Sequence, residues 1–562
     1  MEMLIKNAVV VSPADKLNEK TDILIKDGVI AEIGSGITSD GEIIDADGLC
    51  AVPGFVDMHV HLRDPGQTHK EDIITGCKAA AAGGVTSLLA MPNTNPTTDS
   101  PEIVKYILDK AKDADSRVYV AASVTKGLKS EEPTDIDAVK SAGAIALTDD
   151  GRPVENTKYL SDAMKKAPKL GMTIVAHCED LFLANGGKIN EGEVSEKLGV
   201  KGIPAGAEDC GTAREIALAA ALNEPIHICH VSTKTSVALI RDAKRRGVKV
   251  TAETAPHYVS LTDRELLRGD ADYRMNPPLR TQADVDEIIN GLCDGTLDAI
   301  ATDHAPHTPE EKADFVKAPN GSIGMETSFA VCNTYLVKTG KMTLSQLVEK
   351  MSVNPARILK INAGTLSVGA NADVVLINPD EEWTVDVDKL HGKSKNTPFK
   401  GRTLTGKVKK TILGGKVVFE DTAVITATGT GYVYGVSTYF DGSSVTEDSS
   451  IDFQKGVYIN AAGGTAISAA GNSDTSAEGI VTINQGSAAG ANEVVIFGDI
   501  ESDIKGVVNV NLNTAGSVFN GSTSLYDDGV IKLAVTDGAA WRLTGTSSVT
   551  DLKAAAGGKI DL

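Results

Sequence analysis

No stretch of this 562-residue chain approaches the ~20 consecutive apolar residues that a bilayer-spanning helix requires, so no membrane span is expected. A basic excess is missing too: 55 Lys and Arg face 76 Asp and Glu, a net charge of −21. A nucleic-acid binder needs a basic face, and this balance argues against one. Cysteines are few, seven in all, odd in number and irregularly spaced. That pattern predicts reduced thiols in a cytoplasmic protein and not a disulfide framework. The opening residues, MEMLIKNAVVVSPADKLNEK, carry neither a long apolar segment nor a small-residue cleavage pattern, so no secretory signal is expected.

One further absence divides the chain. All ten His, all 20 Pro and all seven Cys lie within the first 424 residues. Residues 425–562 hold six Lys and Arg against 15 Asp and Glu, a net of −9, which leaves −12 for residues 1–424. This tail is rich in Gly, Ser, Thr, Ala and Asn. Chemistry built on His or Cys is confined to the first part. The length implies two or three domains, and an apolar content of 41% suffices for a sizeable core.

The first part is itself mixed. Residues 1–52 read as short strands (3–11, 22–25, 29–34, 42–45) separated by Asp-Gly and Gly-rich turns. Residues 372–421 repeat that grammar at 372–377, 408–413 and 416–419. The two ends are expected to meet as one composite β-sandwich domain, 1–52 with 364–424. The middle, 53–363, alternates apolar runs (54–59, 86–90, 117–122, 144–147, 173–176, 226–230, 249–252, 298–301) with helical stretches such as 100–114, 157–170, 211–222 and 235–246. Eight strands alternating with helices predict an α/β fold, a (β/α)₈ TIM-like barrel with its site at the C-terminal strand ends.

Those ends carry ligand-type residues. Asp57, His59 and His61 alternate on the first strand, so they share a face, and the two histidines can reach one ion together. A lone His pair is as readily a satisfied polar pair; its position at a barrel strand end favours metal. Asp149-Asp150, His177, His230 and Asp303-His304 close strands four, five, six and eight. One such residue is background, whereas five strand ends aimed at one spot form a set. His with carboxylates suits Zn²⁺ or a similar divalent metal, as one ion or as two sharing a bridging carboxylate.

Seven motifs occur in order: DMHVHLRDPG, MPNT, TDDG, HCED, CHVST, MNPPLR and ATDHAPH. Together they resemble the dihydroorotases of the amidohydrolase superfamily, the longer bacterial class I type, over residues 1–424. The resemblance implies a barrel with a composite β domain. It implies metal ligands His59, His61, Asp150, His177, His230 and Asp303, with Asp303 also the catalytic proton carrier. It implies substrate contacts from Arg63, Asn93 and His307 to a carboxylate, from Asn276 to the ring, and from the backbone of Gly321. The implied reaction is the zinc-dependent, reversible cyclisation of N-carbamoyl-L-aspartate to L-dihydroorotate in pyrimidine biosynthesis. A homodimer, and association with aspartate carbamoyltransferase, are the implied assemblies.

Hydantoinases, dihydropyrimidinases and allantoinases are the alternative. They resemble one another in a carboxylated lysine at the strand-four end, where residues 143–150 (GAIALTDD) hold none. The polar segment 304–321, with three prolines and His307, reads as a lid over the site. Cys178 and Cys229 read as buried small hydrophobes pointing away from the ligands, His227 as a core or outer residue, and His257 as either a supporting residue or packing.

The tail repeats a Gly-plus-aliphatic run at Gly456, Gly479, Gly506 and Gly529, at intervals of 23, 27 and 23. Such spacing predicts an all-β, parallel β-solenoid, and residues 541–562 resemble rungs of autotransporter-type passengers. Two readings of the whole follow: a working enzyme with an appended β module, or a barrel that carries an adhesin-like binding module.

Overall fold

The computed structural model describes residues 2–421, 423–426, 434–438, 449–453, 457–471, 477–484, 494–514, 516–554 and 557–561. They form two units, Met1–Glu420 and Asp421–Leu562. Among the described residues no helix is long and apolar enough to cross a membrane.

Eight parallel strands make the barrel of the first unit: Phe55–Val60, Val85–Ala90, Arg117–Ala122, Ala146–Leu147, Thr173–Ala176, Ile226–Ile228, Val250–Thr254 and Ala299–Ile300. Each pairs with its neighbours in chain order. Beyond the eighth strand, His304 bridges back to Val60 in parallel, and the His61 amide donates to the His304 carbonyl at 2.8 Å. Most strand residues are apolar because both faces are covered. Val56, Met58, Leu89, Ala121, Ala146, Val175 and Ala299 fill the interior below the site, together with Ala356, Ile358 and Leu359 of the helix Asn354–Leu359. Outward residues such as Phe55, Leu88, Val120 and Ile174 pack in the large core shared with the helices.

Most predicted elements fall within one to three residues of those observed. The helix predicted over 211–222 instead spans Ala205–Leu222. The strand Cys50–Pro53 was not anticipated. It joins the two ends of the first unit, running parallel to Glu2–Ser12 and antiparallel to Val374–Thr384. Both ends thus enter one eight-stranded sheet, in the order Lys416–Glu420, Thr403–Leu413, Val374–Thr384, Cys50–Pro53, Glu2–Ser12, Leu17–Lys26, Val29–Gly34, with Glu42–Asp45 beside Glu2–Ser12. Alternation divides its side chains. Val374 and Leu376 join a core with Met3, Ile5, Ile23 and Ile25, whereas Val375 and Ile377 join the barrel's outer core.

The second unit is all β. Ser449–Phe453, Gly479–Ile483, Gly506–Leu512, Val530–Val535 and Asp551–Ala554 form one parallel ladder. A second ladder runs Ala423–Thr426, Val457–Ala469, Val494–Ser502, Val518–Asn520, Ala540–Arg542 and Lys559–Asp561. The runs after Gly479, Gly506 and Gly529 are successive neighbours in the first ladder. The run after Gly456 is not: Val457–Ala469 lies in the second ladder, and Gly456 itself lies outside the described residues, as do 555, 556 and 562 of the predicted terminal rungs. One sequence pattern serves both ladders because both bury alternate residues. Gly506–Leu512, for instance, buries Val508, Val510 and Leu512. Phe519 and Trp541, adjacent in the second ladder, stack with ring centroids 5.6 Å apart.

Each unit has its own apolar core. Calorimetry of the full chain is therefore expected to show two transitions. Phe519→Ala should cost its unit about 3–5 kcal/mol and lower only one of them. A single transition, or two that shift together, would contradict independent cores.

Candidate metal centre

The barrel directs five strand ends to one buried point. His59 lies on strand one and His61 just after it, Asp150 follows strand four, His177 strand five, His230 strand six and Asp303 strand eight; all six side chains are buried. His59 Nε2 lies 3.2 Å from Asp150 Oδ1 and 3.6 Å from Asp303 Oδ1. His61 Nε2 lies 3.2 Å from Asp303 Oδ1 and 3.5 Å from Asp150 Oδ2. On the other side of Asp150, His177 Nδ1 and His230 Nε2 stand 3.6 and 3.7 Å from Oδ1 and 2.9 Å from each other.

These spacings suit a cation. Donors 2.0–2.2 Å from a shared tetrahedral ion stand about 3.3–3.6 Å apart. His59 Nε2 makes no hydrogen bond among the described residues although it is fully buried. Two donor sets share Asp150: His59, His61 and Asp150, and Asp150, His177 and His230. Burial alone would raise the Asp150 carboxyl, but His59, His230 and His61 outweigh it and hold it well below its ordinary value. Asp303 is likewise lowered, with burial opposed by His61, His59 and His230. Both carboxylates are thus kept as anions, ready to hold a metal.

Neighbouring side chains set the strand ends. Asp149 accepts from the amides of Val124 and Thr125 and from the Thr125 hydroxyl, which anchors the turn bearing Asp150. Alternation placed Asp57 on the ligand face, but its carboxylate joins no donor set. It accepts from the amide and hydroxyl of Thr302 and so staples strand one to strand eight. The strand's register shifts between Asp57 and Val60, which breaks the simple alternation. Glu208 accepts from the Ser232 and Thr233 amides just beyond His230 and pairs with buried Arg280. Arg63, His230 and Asp303 have φ of 59°, 33° and 50°, left-handed values that non-glycine residues seldom adopt.

The other predicted site residues gather at the rim. Asn93 links two of the ligands: its Oδ1 lies 2.7 Å from His61 Nδ1, and its Nδ2 donates to Asp150 Oδ2 at 3.3 Å. Arg63 donates Nε to the Pro306 carbonyl, and its Nη2 lies 3.3 Å from His307 Nε2. Burial lowers the guanidinium to about 10, still fully charged at neutral pH. Asn276 donates to both oxygens of Glu179, 3.3 and 3.4 Å away, while its buried Oδ1 has no hydrogen bond among the described residues. Glu179 Oε2 in turn lies 3.4 Å from His177 Nε2. Gly321 has φ 140°, and a Cβ there would stand 2.8 Å from Ala305 Cβ and 3.1 Å from the His307 ring, so only glycine fits.

The segment 304–321 is held in place by its own hydrogen bonds and by Arg274. Lys312 Nζ donates to the carbonyls of Arg274, Pro319 and Gly321, and the Arg274 guanidinium to Val316 O and Asn320 Oδ1.

Cys229, like Asp57, departs from its sequence reading, and Glu253 had none. Cys229 does not point away: it joins the barrel interior with Val56 and Met58 and comes close to His59 and Glu253. The strand ends at Ile228 and His230 turns left-handed, so alternation no longer applies. Glu253 was missed. Its signal is a carboxylate in an otherwise uncharged, buried strand, Val250–Thr254.

A family model described as Dihydro-orotase-like matches residues 48–236. A dihydroorotase of Acetivibrio thermocellus is 50% identical over 426 residues, 75% of this chain and all of that protein. One of Geobacter metallireducens is 49% identical over 424 residues, again its whole length. Among solved structures, the L-hydantoinase (dihydropyrimidinase) of Arthrobacter aurescens superposes with a TM-score of 0.68 at 26% identity, over 74% of this chain and 96% of that one. A dihydropyrimidinase of Brevibacillus agri gives 0.66 at 27% identity, over 75% and 95%.

His257 is buried, packs edge-on against Tyr258 and is lowered to about 4, chiefly by burial. The unfolded chain takes up this proton near 6.5, whereas the folded chain does not until about 4. Folding stability should therefore fall as pH drops through that window, by up to roughly 3 kcal/mol from this group. His304 and His307 act in the same direction. Urea unfolding at pH 7 and pH 4.5 should show a smaller loss in His257→Gln than in the parent. Equal losses would contradict the assignment.

Proposed function

The chain belongs to the dihydroorotase family, and from that premise we propose that it catalyses the reversible cyclisation of N-carbamoyl-L-aspartate to L-dihydroorotate and water, with Zn²⁺ as its cofactor. The observation that carries this reading is the meeting of four imidazoles and two carboxylates beside a buried, charged arginine. His59, His61, Asp150, His177, His230 and Asp303 would hold one or two ions, with Asp150 common to both donor sets. When bound, the metal supplies Lewis acidity toward the ring carbonyl and the attacking water.

The remaining chemistry belongs to the chain. Arg63 presents a planar fork that matches a carboxylate, beside His307 and the Gly321 backbone. Asn93 adds a neutral donor. Asn276, oriented by Glu179, keeps its Oδ1 available to a ring N–H. In hydrolysis, water adds to the ring amide carbon, Asp303 takes its proton, and the same carboxyl returns that proton to the ring nitrogen as the C–N bond breaks. In synthesis the terminal ureido nitrogen attacks the carbon of the protonated side-chain carboxyl, its proton passes to Asp303, and Asp303 returns that proton to the departing hydroxyl, which leaves as water. Holding substrate and carboxylate together makes the ring closure effectively unimolecular.

Relatives near 50% identity over their whole length favour dihydroorotate over the cyclic amides of the hydantoinases, which are similar at 26–27%. Asp150 stands where that alternative expects a lysine. We also take 1–52 with 364–420 as one composite β-sandwich domain with the barrel 53–363; the expected boundary at 424 moves to Glu420, because Ala423–Thr426 pairs with Val457–Ala469 of the second unit. The two parallel ladders of the tail we take as faces of a β-solenoid of the kind found in autotransporter-type passengers.

Purified protein should hydrolyse L-dihydroorotate and leave hydantoin untouched. Activity should vanish with a chelator and return with Zn²⁺. Asp303→Ala should lower kcat on the order of 10²–10⁴-fold. Turnover that survives Asp303→Ala, or a preference for hydantoin, would overturn the reading.

A further inference from the structure

Strand seven, Val250–Thr254, contributes no residue to the proposed ligands, yet it buries a carboxylate directly behind one of them. Glu253 Oε1 lies 3.3 Å from His59 Nδ1, and Oε2 lies 3.2 Å from His227 Nε2. His227 is fixed from its other side, with Nδ1 2.9 Å from the Thr251 hydroxyl. All four side chains except Thr251 are completely sequestered from solvent. A carboxylate buried without a Lys or Arg partner is costly, so its retention calls for a task.

The surroundings of the other imidazoles indicate that task. Asn93 Oδ1 lies behind His61 Nδ1, and Glu179 Oε2 behind His177 Nε2. In each of these rings an acceptor takes the far N–H and leaves the other nitrogen facing Asp150. Glu253 does the same for His59 and is the one fully buried carboxylate among these acceptors. An imidazole can donate from one nitrogen and offer a lone pair at the other only in one tautomer, and the outer acceptor selects it.

We propose that Glu253 is a positioning residue for the metal centre: it fixes His59 as the Nδ1–H tautomer, with Nε2 aimed at the ion, and places a negative charge behind that ligand. His227, anchored by Thr251, stands 3.2 Å from the other carboxylate oxygen. This rests on the metal-centre reading above. The neighbouring Cys229 thiol stands within the same small group of donors, so a second arrangement is open to test, in which His59, Cys229 and Glu253 themselves take up metal.

The experiment compares metal-free full-length protein and Glu253→Gln, which is nearly isosteric. Zn²⁺ affinity is read by competition with a chromophoric chelator, and ligand geometry by the visible spectrum of the Co²⁺ form. Circular dichroism and the melting temperature of the metal-free proteins control for folding. The expected result is affinity lower by about 10–100-fold in E253Q, with an altered Co²⁺ spectrum and an unchanged metal-free melt. Should E253Q not fold, Glu253→Asp, which keeps the charge but withdraws it, is expected to weaken binding as well. Affinity within twofold of the parent together with an identical Co²⁺ spectrum overturns the inference. So does a thiolate charge-transfer band that disappears in Cys229→Ser, because Glu253 would then belong to a binding site of its own. Parent protein that takes up no metal at all overturns the metal-centre reading instead.

Discussion

Asp150 is a buried carboxylate with ring nitrogens of four histidines within 3.7 Å, and much of the barrel's upper end serves to make that arrangement tolerable. An isolated carboxylate in such a place would protonate. Here the surrounding imidazoles keep it ionised, and a divalent cation among the same donors would compensate it more fully. That need explains why the acceptors behind the rings matter. Asn93, Glu179 and Glu253 each occupy the far nitrogen of a histidine and so determine which nitrogen faces Asp150.

Holding six donors from five strand ends requires rigid turns, and the structure provides them with short-range carboxylate staples. Asp57 joins strand one to strand eight through Thr302, Asp149 fixes the turn of Asp150 through Thr125, and Glu208 fixes the turn after His230 through Ser232. The left-handed backbone at Arg63, His230 and Asp303 is sustained within this network. Burial raises both Asp57 and Asp149 to about 6, and the hydrogen bonds they accept offset part of that cost. The same logic reaches the rim, where Lys312 and Arg274 tie down the segment that carries His307 and Gly321.

Most of this was legible in the sequence, for identifiable reasons. Buried parallel strands are continuous apolar runs, and ligand-type residues at their ends stand out against them, so the barrel and the donor set could be read together. What escaped depended on tertiary approach. The helix Ala205–Leu222 was expected only from Gly211, where a Cβ would stand 2.7 Å from the Glu179 amide, so the glycine lets the helix approach the site loop. Period-two reasoning failed at Asp57, where the register shifts, and at Cys229, where the strand has already ended. In the tail the repeat was visible, but its assignment to two ladders was not, since both bury alternate residues in the same way.

The central claim is that these side chains form a metal centre around Asp150, and location of the ion tests it most directly. An anomalous-scattering map from crystals of the zinc-loaded full chain, recorded at the zinc edge, should show its strongest peak enclosed by His59, His61, Asp150 and Asp303. A second peak, if present, should lie on the His177 and His230 side of Asp150. A strongest peak elsewhere on the molecule, or none from fully loaded protein, would contradict the account.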